Sequence, residues 1–171
     1  MDTVLLWTLT LLNTAGLVLI FRQMALQPQP SSQQPGPAVG TVVSTWALPN
    51  AAGTERSSAT VESPYVLLFT SEHCQPCHDL LADLTDNPID GHGLAYLVSD
   101  MQGAEAVALA ATVPAQTFAD VLTGGSKALL ASFQVTATPF VLAVKNGKVL
   151  VSRSVNRRGA FKDIVDMIAV T

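Results

Sequence analysis

The sequence predicts an α/β fold in which helices flank a mixed β-sheet, preceded by one N-terminal transmembrane helix. Three observations carry this prediction. The run YVLLF at residues 65–69 is unbroken and apolar, as in a strand buried on both faces of a sheet. Further apolar runs of strand length alternate with segments of helical periodicity. The chain also begins with a long apolar stretch that carries no charge.

Length and charge limit the possible classes of protein. The chain has 171 residues, of which 49% are hydrophobic and 13% are charged, so one domain with its own core remains after the apolar stretch is set aside. The formal net charge of -4 leaves no basic surface of the size that phosphates require. We therefore expect one soluble domain and no nucleic-acid partner.

Residues 3–21 form the candidate membrane segment. These 19 residues lack charge, and at about 1.5 Å per residue they span roughly 28 Å of helix, close to the thickness of a bilayer's hydrocarbon core. A cleaved signal peptide is the alternative, but the basic start and the small-residue cleavage pattern of such peptides are missing here. The prediction is an uncleaved anchor at residues 1–22. The single basic residue beside it, Arg22, follows the segment and by itself favours the orientation opposite to that of an exported domain, but one arginine is too little to determine the orientation.

A linker follows the predicted anchor. Residues 23–38 contain QPQPSSQQPGP, which is rich in Pro, Gln and Ser and has no charge. Such a segment is too polar to fold and is predicted to be a flexible spacer. The folded domain is predicted at residues 39–171.

The two cysteines of the chain, Cys74 and Cys77, come shortly after the first buried strand. The segment CHDLLADL has leucines at helical spacing, so the cysteines are predicted to lie where a central strand turns into a helix. Pro76 fits the first helical turn, where its missing N–H costs nothing. At a helix N-terminus the unpaired N–H groups stabilise a thiolate, which makes Cys74 the candidate nucleophile. Cys77, one turn later, is the candidate resolving cysteine.

The remaining elements follow in chain order. Residues 93–100 are predicted to be a second apolar strand, residues 104–111 an alanine-rich helix and residues 126–133 another helix. Two apolar runs are then joined by Asn146-Gly147, a strong signal for a β-hairpin. The last segment, RRGAFKDIVDMIAV, has one apolar face at helical spacing. This order of elements predicts the mixed sheet.

Three other uses of the cysteines stay open at this point. A purely structural disulfide is disfavoured, because a bridge over two residues closes too small a loop to restrict the unfolded chain much. Interpreting CQPCH as a haem attachment site would make His78 the axial ligand, but a convincing second ligand is missing. Copper or zinc binding by Cys74, Cys77 and either His73 or His78 is sound ligand chemistry, although no second cysteine pair or histidine pair completes a site.

These residues resemble the thioredoxin superfamily. The shared features are a strand, a C-x-x-C pair at a helix start, and a later Thr138-Pro139 that leads into a hairpin and a terminal helix. The resemblance implies a thioredoxin-like fold, with Pro139 in a cis peptide bond close to Cys74. It also implies that Thr138 and Pro139 shape the substrate groove, where the backbone of Thr138 pairs with an extended substrate segment. No cofactor is expected.

A second resemblance covers nearly the whole chain. It rests on the anchor with LLW and FRQ, on LLFTSEHCQPC, on the hairpin TPFVLAVKNGKV and on VNRRGAFKDIV. These segments are similar to the membrane-anchored accessory proteins of methylamine utilisation (MauD type), relatives of the cytochrome-maturation reductases of TlpA and ResA type. The resemblance implies a thiol–disulfide oxidoreductase held outside the cytoplasmic membrane by a single span. Its expected partners are exported proteins that contain cysteines, and a membrane protein that supplies electrons or oxidising equivalents.

Two positions depart from the thioredoxin pattern. Many thioredoxins have a buried acid six residues before the first cysteine and an aromatic residue directly before it, and here these positions are Leu68 and His73. The usual proton relay to the second cysteine is therefore not predicted, and Glu72 or His78 are the candidate replacements. His73 and Pro76 are expected to modulate the cysteines, His73 through its positive charge when protonated. A protein that only binds partners is disfavoured, because both cysteines are intact.

Overall fold

The structure of the protein is a computed structural model that describes Trp7, residues 36–123 and residues 126–170. The predicted anchor at residues 1–22, except Trp7, and the predicted linker up to residue 35 lie outside the described residues. Within the described ranges, no helix combines the length and the apolar character needed to cross a membrane.

Seven strands and four helices make up the described domain. The strands are β1 (Ala47–Pro49), β2 (Glu55–Ser57), β3 (Tyr65–Thr70), β4 (Ala95–Ser99), β5 (Asp120–Leu122), β6 (Phe140–Lys145) and β7 (Lys148–Ser154). The helices are α1 (Gln75–Asp86), α2 (Gly103–Thr112), α3 (Ser126–Ser132) and α4 (Arg158–Ala169). The elements predicted from residue 65 onward are confirmed, whereas β1, β2 and β5 were not predicted.

Five of the strands form one mixed sheet in the order β5-β4-β3-β6-β7. Strands β3, β4 and β5 run parallel to one another, and β6 runs antiparallel to both β3 and β7. The central strand β3 is buried along its whole length, as its unbroken apolar sequence predicts. Because β3 is the middle strand, the loop that follows it starts at the centre of one end of the sheet.

The core has two layers, one on each face of the sheet. Successive residues of a strand point to opposite faces, and accordingly Val66 and Leu68 belong to one hydrophobic cluster while Leu67 and Phe69 belong to the other. Buried residues of α1 and α4 complete the first cluster, including Phe161, whose ring stacks on that of Phe118 at 5.8 Å. Residues of α3 and of the segment around β1 complete the second. The amphipathic helices predicted from the sequence therefore bury the faces that their periodicity indicates.

The β1–β2 hairpin is attached to the edge strand β5 by a polar cluster. The Asp120 carboxylate accepts hydrogen bonds from Asn50 Nδ2 at 3.0 Å and from Arg56 Nε at 2.9 Å. The hydrogen bond and the negative charge of Asp120 together raise the pKa of Arg56. Backbone pairing adds to this attachment, since the Ala51 N–H donates to the Val121 carbonyl oxygen at 3.0 Å. The hairpin thus covers the β5 edge of the sheet.

The other edge strand, β7, is partly covered by residues 40–43. The Gly40 N–H donates to the Val149 carbonyl oxygen at 2.8 Å, and the Val149 N–H donates to the Thr41 carbonyl oxygen at 2.9 Å. Further upstream, Gly36 lies so close to the sheet that a β-carbon on it would be 2.3 Å from Phe140 Cζ. The described chain therefore contacts the sheet from residue 36 onward.

The turn between β6 and β7 has the conformation that Asn146-Gly147 predicts. Asn146 has φ 51° and Gly147 has φ 72°. Two consecutive residues with positive φ are the requirement of a type I′ turn, which asparagine and glycine meet more readily than other residues.

Candidate active site

The two cysteines lie at the start of α1, at the carboxyl end of the central strand. Cys74 is the N-cap residue, with an extended backbone (φ -98°, ψ 96°), and Gln75 and Pro76 form the first helical positions. A proline fits here because the first N–H groups of a helix have no intrahelical partner. The predicted position of the cysteines at a strand-to-helix junction is confirmed.

The cysteines form a disulfide, with an S–S distance of 2.07 Å and Cα atoms 5.2 Å apart. Cys74 is half-buried, whereas Cys77 is 1% exposed. The Cys77 N–H donates to Cys74 Sγ at 3.2 Å. A helix N–H therefore already points at the sulfur on which negative charge develops when the disulfide is reduced, and hydrogen bonding to the charged form stabilises a thiolate. The accessible sulfur is the one suited to attack, and the buried one is suited to intramolecular release.

Thr138 and Pro139 lie at the same end of the sheet as the cysteines. Pro139 directly precedes β6, whose first residue, Phe140, pairs with Phe69 near the end of β3. The Thr138-Pro139 peptide bond is cis, as the resemblance implies. Pro139 is buried, and its carbonyl oxygen accepts the Val155 N–H at 3.1 Å.

The backbone of Thr138 is suited to pair with another chain. Thr138 is half-buried, and its N–H and carbonyl groups make no backbone hydrogen bond to the residues that the structure describes. Main-chain groups left unpaired beside a sheet can accept an added strand. This geometry is compatible with the substrate-binding role predicted for Thr138.

The side chains around the cysteines are mostly exposed. His73 and Pro76, the predicted modulators, are both exposed. His78 Nε2 lies 2.6 Å from the Glu72 carbonyl oxygen, and because a carbonyl can only accept, the ring donates from Nε2 in this contact. Both His78 and Glu72 are exposed, so neither replaces a buried acid.

Leu68 occupies the position where many thioredoxins have that acid. Its side chain is 0% exposed and packs in the cluster shared with α1 and α4. The position is therefore part of the hydrophobic core, as its sequence neighbours indicate.

Asp100 contributes to the site, although no sequence motif predicts it. It follows β4 directly and accepts hydrogen bonds from the Ser71 hydroxyl at 2.9 Å and from the Glu72 N–H at 2.8 Å. Ser71 and Glu72 begin the loop that leads from β3 to Cys74. The signal that could identify Asp100 is its position: an acid at the end of a strand predicted to lie parallel to the cysteine-bearing strand.

Metal binding is the alternative suggested by the histidines beside the cysteines. Across residues 36–123 and 126–170, no group of three or more His, Cys, Asp or Glu side chains is placed to hold a metal ion. In the disulfide state both sulfurs are bonded to each other, and His78 Nε2 is bonded to the backbone of Glu72.

The described fold is similar to solved structures of thioredoxin-like proteins. The thioredoxin domain of a thiol-disulfide oxidoreductase from Bacteroides vulgatus is 17% identical with a TM-score of 0.60, covering 77% of this chain and 97% of that chain. A thio-disulfide isomerase from Thermus thermophilus is 22% identical with a TM-score of 0.60, covering 78% and 96%. A Chlorobium tepidum protein described as a thiol:disulfide interchange protein DsbE is 22% identical with a TM-score of 0.54, also covering 78% and 96%.

No protein-family model matches the sequence, and no curated protein matches it. The structural likenesses establish a thioredoxin-like fold for the described domain, which confirms the fold class predicted for it.

Proposed function

We propose that this protein is a thiol–disulfide oxidoreductase that exchanges disulfides with cysteines of exported client proteins. The observation that carries the proposal is the Cys74–Cys77 disulfide at the start of α1, with the Cys77 N–H donated to Cys74 Sγ. A half-buried first sulfur and a buried second sulfur give the two cysteines different roles. Three solved structures with a similar fold belong to proteins named for thiol–disulfide oxidoreductase, isomerase or interchange activity, which supports the proposed function.

The exchange proceeds in two steps that balance in electrons and protons. In the reducing direction, the Cys74 thiolate attacks a client disulfide, forming a Cys74–client bond and releasing the client's other sulfur as a thiolate. Cys77 then loses its proton and attacks Cys74 Sγ, forming the Cys74–Cys77 disulfide and releasing the client's second thiolate. The client gains two electrons and its two thiolates take up protons. The oxidising direction is the reverse.

The groove beside the cysteines positions the client. Thr138 offers to an extended client segment the backbone groups that make no backbone hydrogen bond within the described part of the chain, and Pro139 holds this backbone at the end of the sheet that carries Cys74. His73, directly before the nucleophile, and Pro76, between the cysteines, adjust the stability of the thiolate.

We further propose where the protein is located and which kind of redox partner it uses. Residues 1–22 anchor the chain in the cytoplasmic membrane, residues 23–38 act as a spacer, and the domain lies on the extracytoplasmic side. Repeated turnover requires a membrane protein that supplies electrons or oxidising equivalents. The sequence resemblance to MauD-type accessory proteins favours maturation of an exported enzyme or cytochrome as the task.

Redox titration of the full-length protein in detergent tests the activity. The Cys74–Cys77 pair is equilibrated with glutathione buffers, and its oxidised fraction is read by alkylation and mass spectrometry. A potential of about -120 mV would identify an oxidant, and one of about -270 mV or below a reductant. The activity would be refuted if reduced Cys74 reacted with iodoacetamide at about pH 6 no faster than an ordinary free thiol.

Replacing Cys77 tests the division of roles between the two sulfurs. Cys77→Ser is expected to accumulate a mixed disulfide between Cys74 and a peptide disulfide, because the group that releases the peptide is missing. Cys74→Ser is the matched control, and it is expected to form little mixed disulfide because Cys77 is buried. Equal trapping by the two variants would contradict the assignment.

Membrane attachment is tested separately on cells that express the chain. The full-length protein is expected to stay with membranes after alkaline carbonate washing, and a protease added outside the cytoplasmic membrane is expected to digest its domain. Release by carbonate would contradict the anchor, and protection from the protease would contradict the orientation.

A further inference from the structure

We infer that Asp100 is a positioning residue that holds the loop before Cys74, so that the nucleophilic sulfur keeps its place at the helix N-terminus when the disulfide is reduced. This inference rests on the proposed function and identifies a part of the site that the sequence motif does not contain.

The loop from Ser71 to Cys74 is held by bonds to the neighbouring strand. One Asp100 oxygen accepts from the Ser71 hydroxyl at 2.9 Å and the other accepts from the Glu72 N–H at 2.8 Å. Asp100 itself follows β4, which pairs with β3 as far as Ser99 beside Thr70. Both oxygens of one carboxylate therefore attach two consecutive loop residues to a rigid part of the sheet.

A second contact holds the same loop from the helix side. The Glu72 carbonyl oxygen accepts from His78 Nε2 at 2.6 Å, and His78 is a residue of α1. The Glu72 backbone is thus bonded to Asp100 through its N–H and to α1 through its carbonyl. A third bond joins the two ends of the loop, since the Cys74 N–H donates to the Ser71 carbonyl oxygen at 3.1 Å.

These bonds matter most in the reduced protein. While the disulfide is intact, the covalent link to Cys77 in α1 holds Cys74 in place. After reduction that link is gone, and the position of Cys74 Sγ near the Cys77 N–H then depends on the loop before it and on the Cys74 carbonyl oxygen, which accepts the Cys77 N–H at 2.9 Å and the His78 N–H at 3.2 Å. The Asp100 bonds do not involve sulfur, so they are available in both redox states. Preorganised donors stabilise developing charge without reorganisation during the reaction.

Replacing Asp100 with alanine removes both bonds. We expect this to destabilise the thiolate form of Cys74 relative to the thiol. If the loop relaxes and the charge-assisted bond from the Cys77 N–H is lost, about 1.4 kcal/mol of stabilisation, or one factor of ten, disappears. We expect the pH at which Cys74 alkylation reaches half its maximal rate to rise by about one unit, with alkylation at about pH 6 slower by about tenfold.

Asp100→Asn separates hydrogen bonding from charge. The Asn side-chain oxygen can accept the Glu72 N–H, and its NH₂ group can donate to the Ser71 hydroxyl, which both donates and accepts. The inference predicts that Asp100→Asn retains most of the wild-type pH profile, whereas Asp100→Ala does not. Ser71→Ala, which removes one bond of the two, is expected to give an intermediate shift.

The experiment uses the full-length protein, reduced and then alkylated over a range of pH. Asp90→Ala is the matched control, because the Asp90 carboxylate also accepts a loop N–H, from His92 at 2.8 Å, in the loop that precedes β4 at the opposite end of the sheet. Its profile should equal the wild-type profile. Cooperative thermal unfolding of each oxidised variant confirms that it is folded.

Two results would overturn the role of Asp100: a profile for Asp100→Ala equal to that of the wild type, or one for Asp100→Asn equal to that of Asp100→Ala. If Asp100→Ala does not fold, the folded pair Asp100→Asn and Ser71→Ala decides, and a wild-type profile for Ser71→Ala then refutes the inference. The proposed function fails in a different way, through a wild-type Cys74 that reacts as an ordinary thiol.

Discussion

Replacing Thr117 with valine should destabilise the domain strongly without changing its chemistry. Thr117 is 0% exposed and precedes β5, at the end of the sheet opposite to the end that carries the cysteines. Its hydroxyl accepts the Ile89 N–H at 3.1 Å and donates to the Ile89 carbonyl oxygen at 2.9 Å. Ile89 is itself only 2% exposed, so solvent cannot replace either bond. One hydroxyl therefore satisfies both backbone polar groups of a buried residue.

The size of the effect follows from the two bonds. Valine has nearly the shape of threonine, so the change leaves a buried N–H and a buried carbonyl without partners, each at a cost of about 1–3 kcal/mol. The greater apolar character of valine offsets part of this, and we expect a net loss of about 2–5 kcal/mol in the free energy of unfolding. For a domain of this size, that corresponds to a melting temperature lower by about 8–20 °C.

The assay is thermal and urea unfolding of the oxidised protein, followed by circular dichroism. Thr117→Ser is the matched control, because it keeps the hydroxyl and removes one buried methyl group, at a cost of about 1 kcal/mol. The alkylation rate of reduced Cys74 should be the same in both variants and in the wild type. A valine variant as stable as the serine variant would refute the reasoning, since losing both bonds would then cost no more than losing one buried methyl group.

Three further predictions concern other parts of the domain. Burial raises the pKa of Tyr65 above its ordinary value of 10.0. The neutral phenol therefore contributes fully to the free energy of unfolding below about pH 10, and this contribution is lost as the pH rises through the folded-state pKa. Tyr65→Phe should reduce the loss of stability at alkaline pH in unfolding measurements. Asp120→Ala should loosen the β1–β2 hairpin, because it removes the side-chain bonds to Asn50 and Arg56 but leaves the backbone pairing, and hydrogen exchange should increase first in residues 47–57; the difference from the wild type should shrink at high salt. Gly36→Ala would place a β-carbon 2.3 Å from the Phe140 ring at φ 117° and should lower the melting temperature. Gly40→Ala, at φ 88°, would place a β-carbon at least 4 Å from every described residue other than its chain neighbours, so it should show only the smaller cost of backbone strain. Equal losses would contradict the close packing at Gly36.

The sequence predicts the centre of the fold better than its edges. The β3 strand and α1 have long, clear hydrophobic patterns. Asn146-Gly147 lies between two apolar runs, where this residue pair strongly predicts a two-residue hairpin turn. The strands β1, β2 and β5 each have three residues. This is too short to show the alternation of apolar and polar residues that identifies a strand. Pairing with distant residues, such as Ala51 with Val121, determines these strands instead.

The same distinction applies to the site. Cys74 and Cys77 are recognisable from their spacing, and the cis bond before Pro139 follows from the resemblance. Asp100 could not be recognised from local sequence, because its role depends on β3 and β4 being neighbours in space. The exposure of Glu72 likewise depends on how its loop leaves the sheet.

The pairing of residues 40–43 with β7 affects where a shorter version of the protein can begin. A fragment that starts at Ser44 would lack this pairing, and the Val149 N–H and carbonyl groups would lose their partners. An uncovered seven-residue strand at the edge of a sheet can form backbone hydrogen bonds with a strand of a second copy of the protein. Fragments prepared for crystallisation or redox measurements should therefore keep the residues from 36 onward, so that the preparation remains monodisperse.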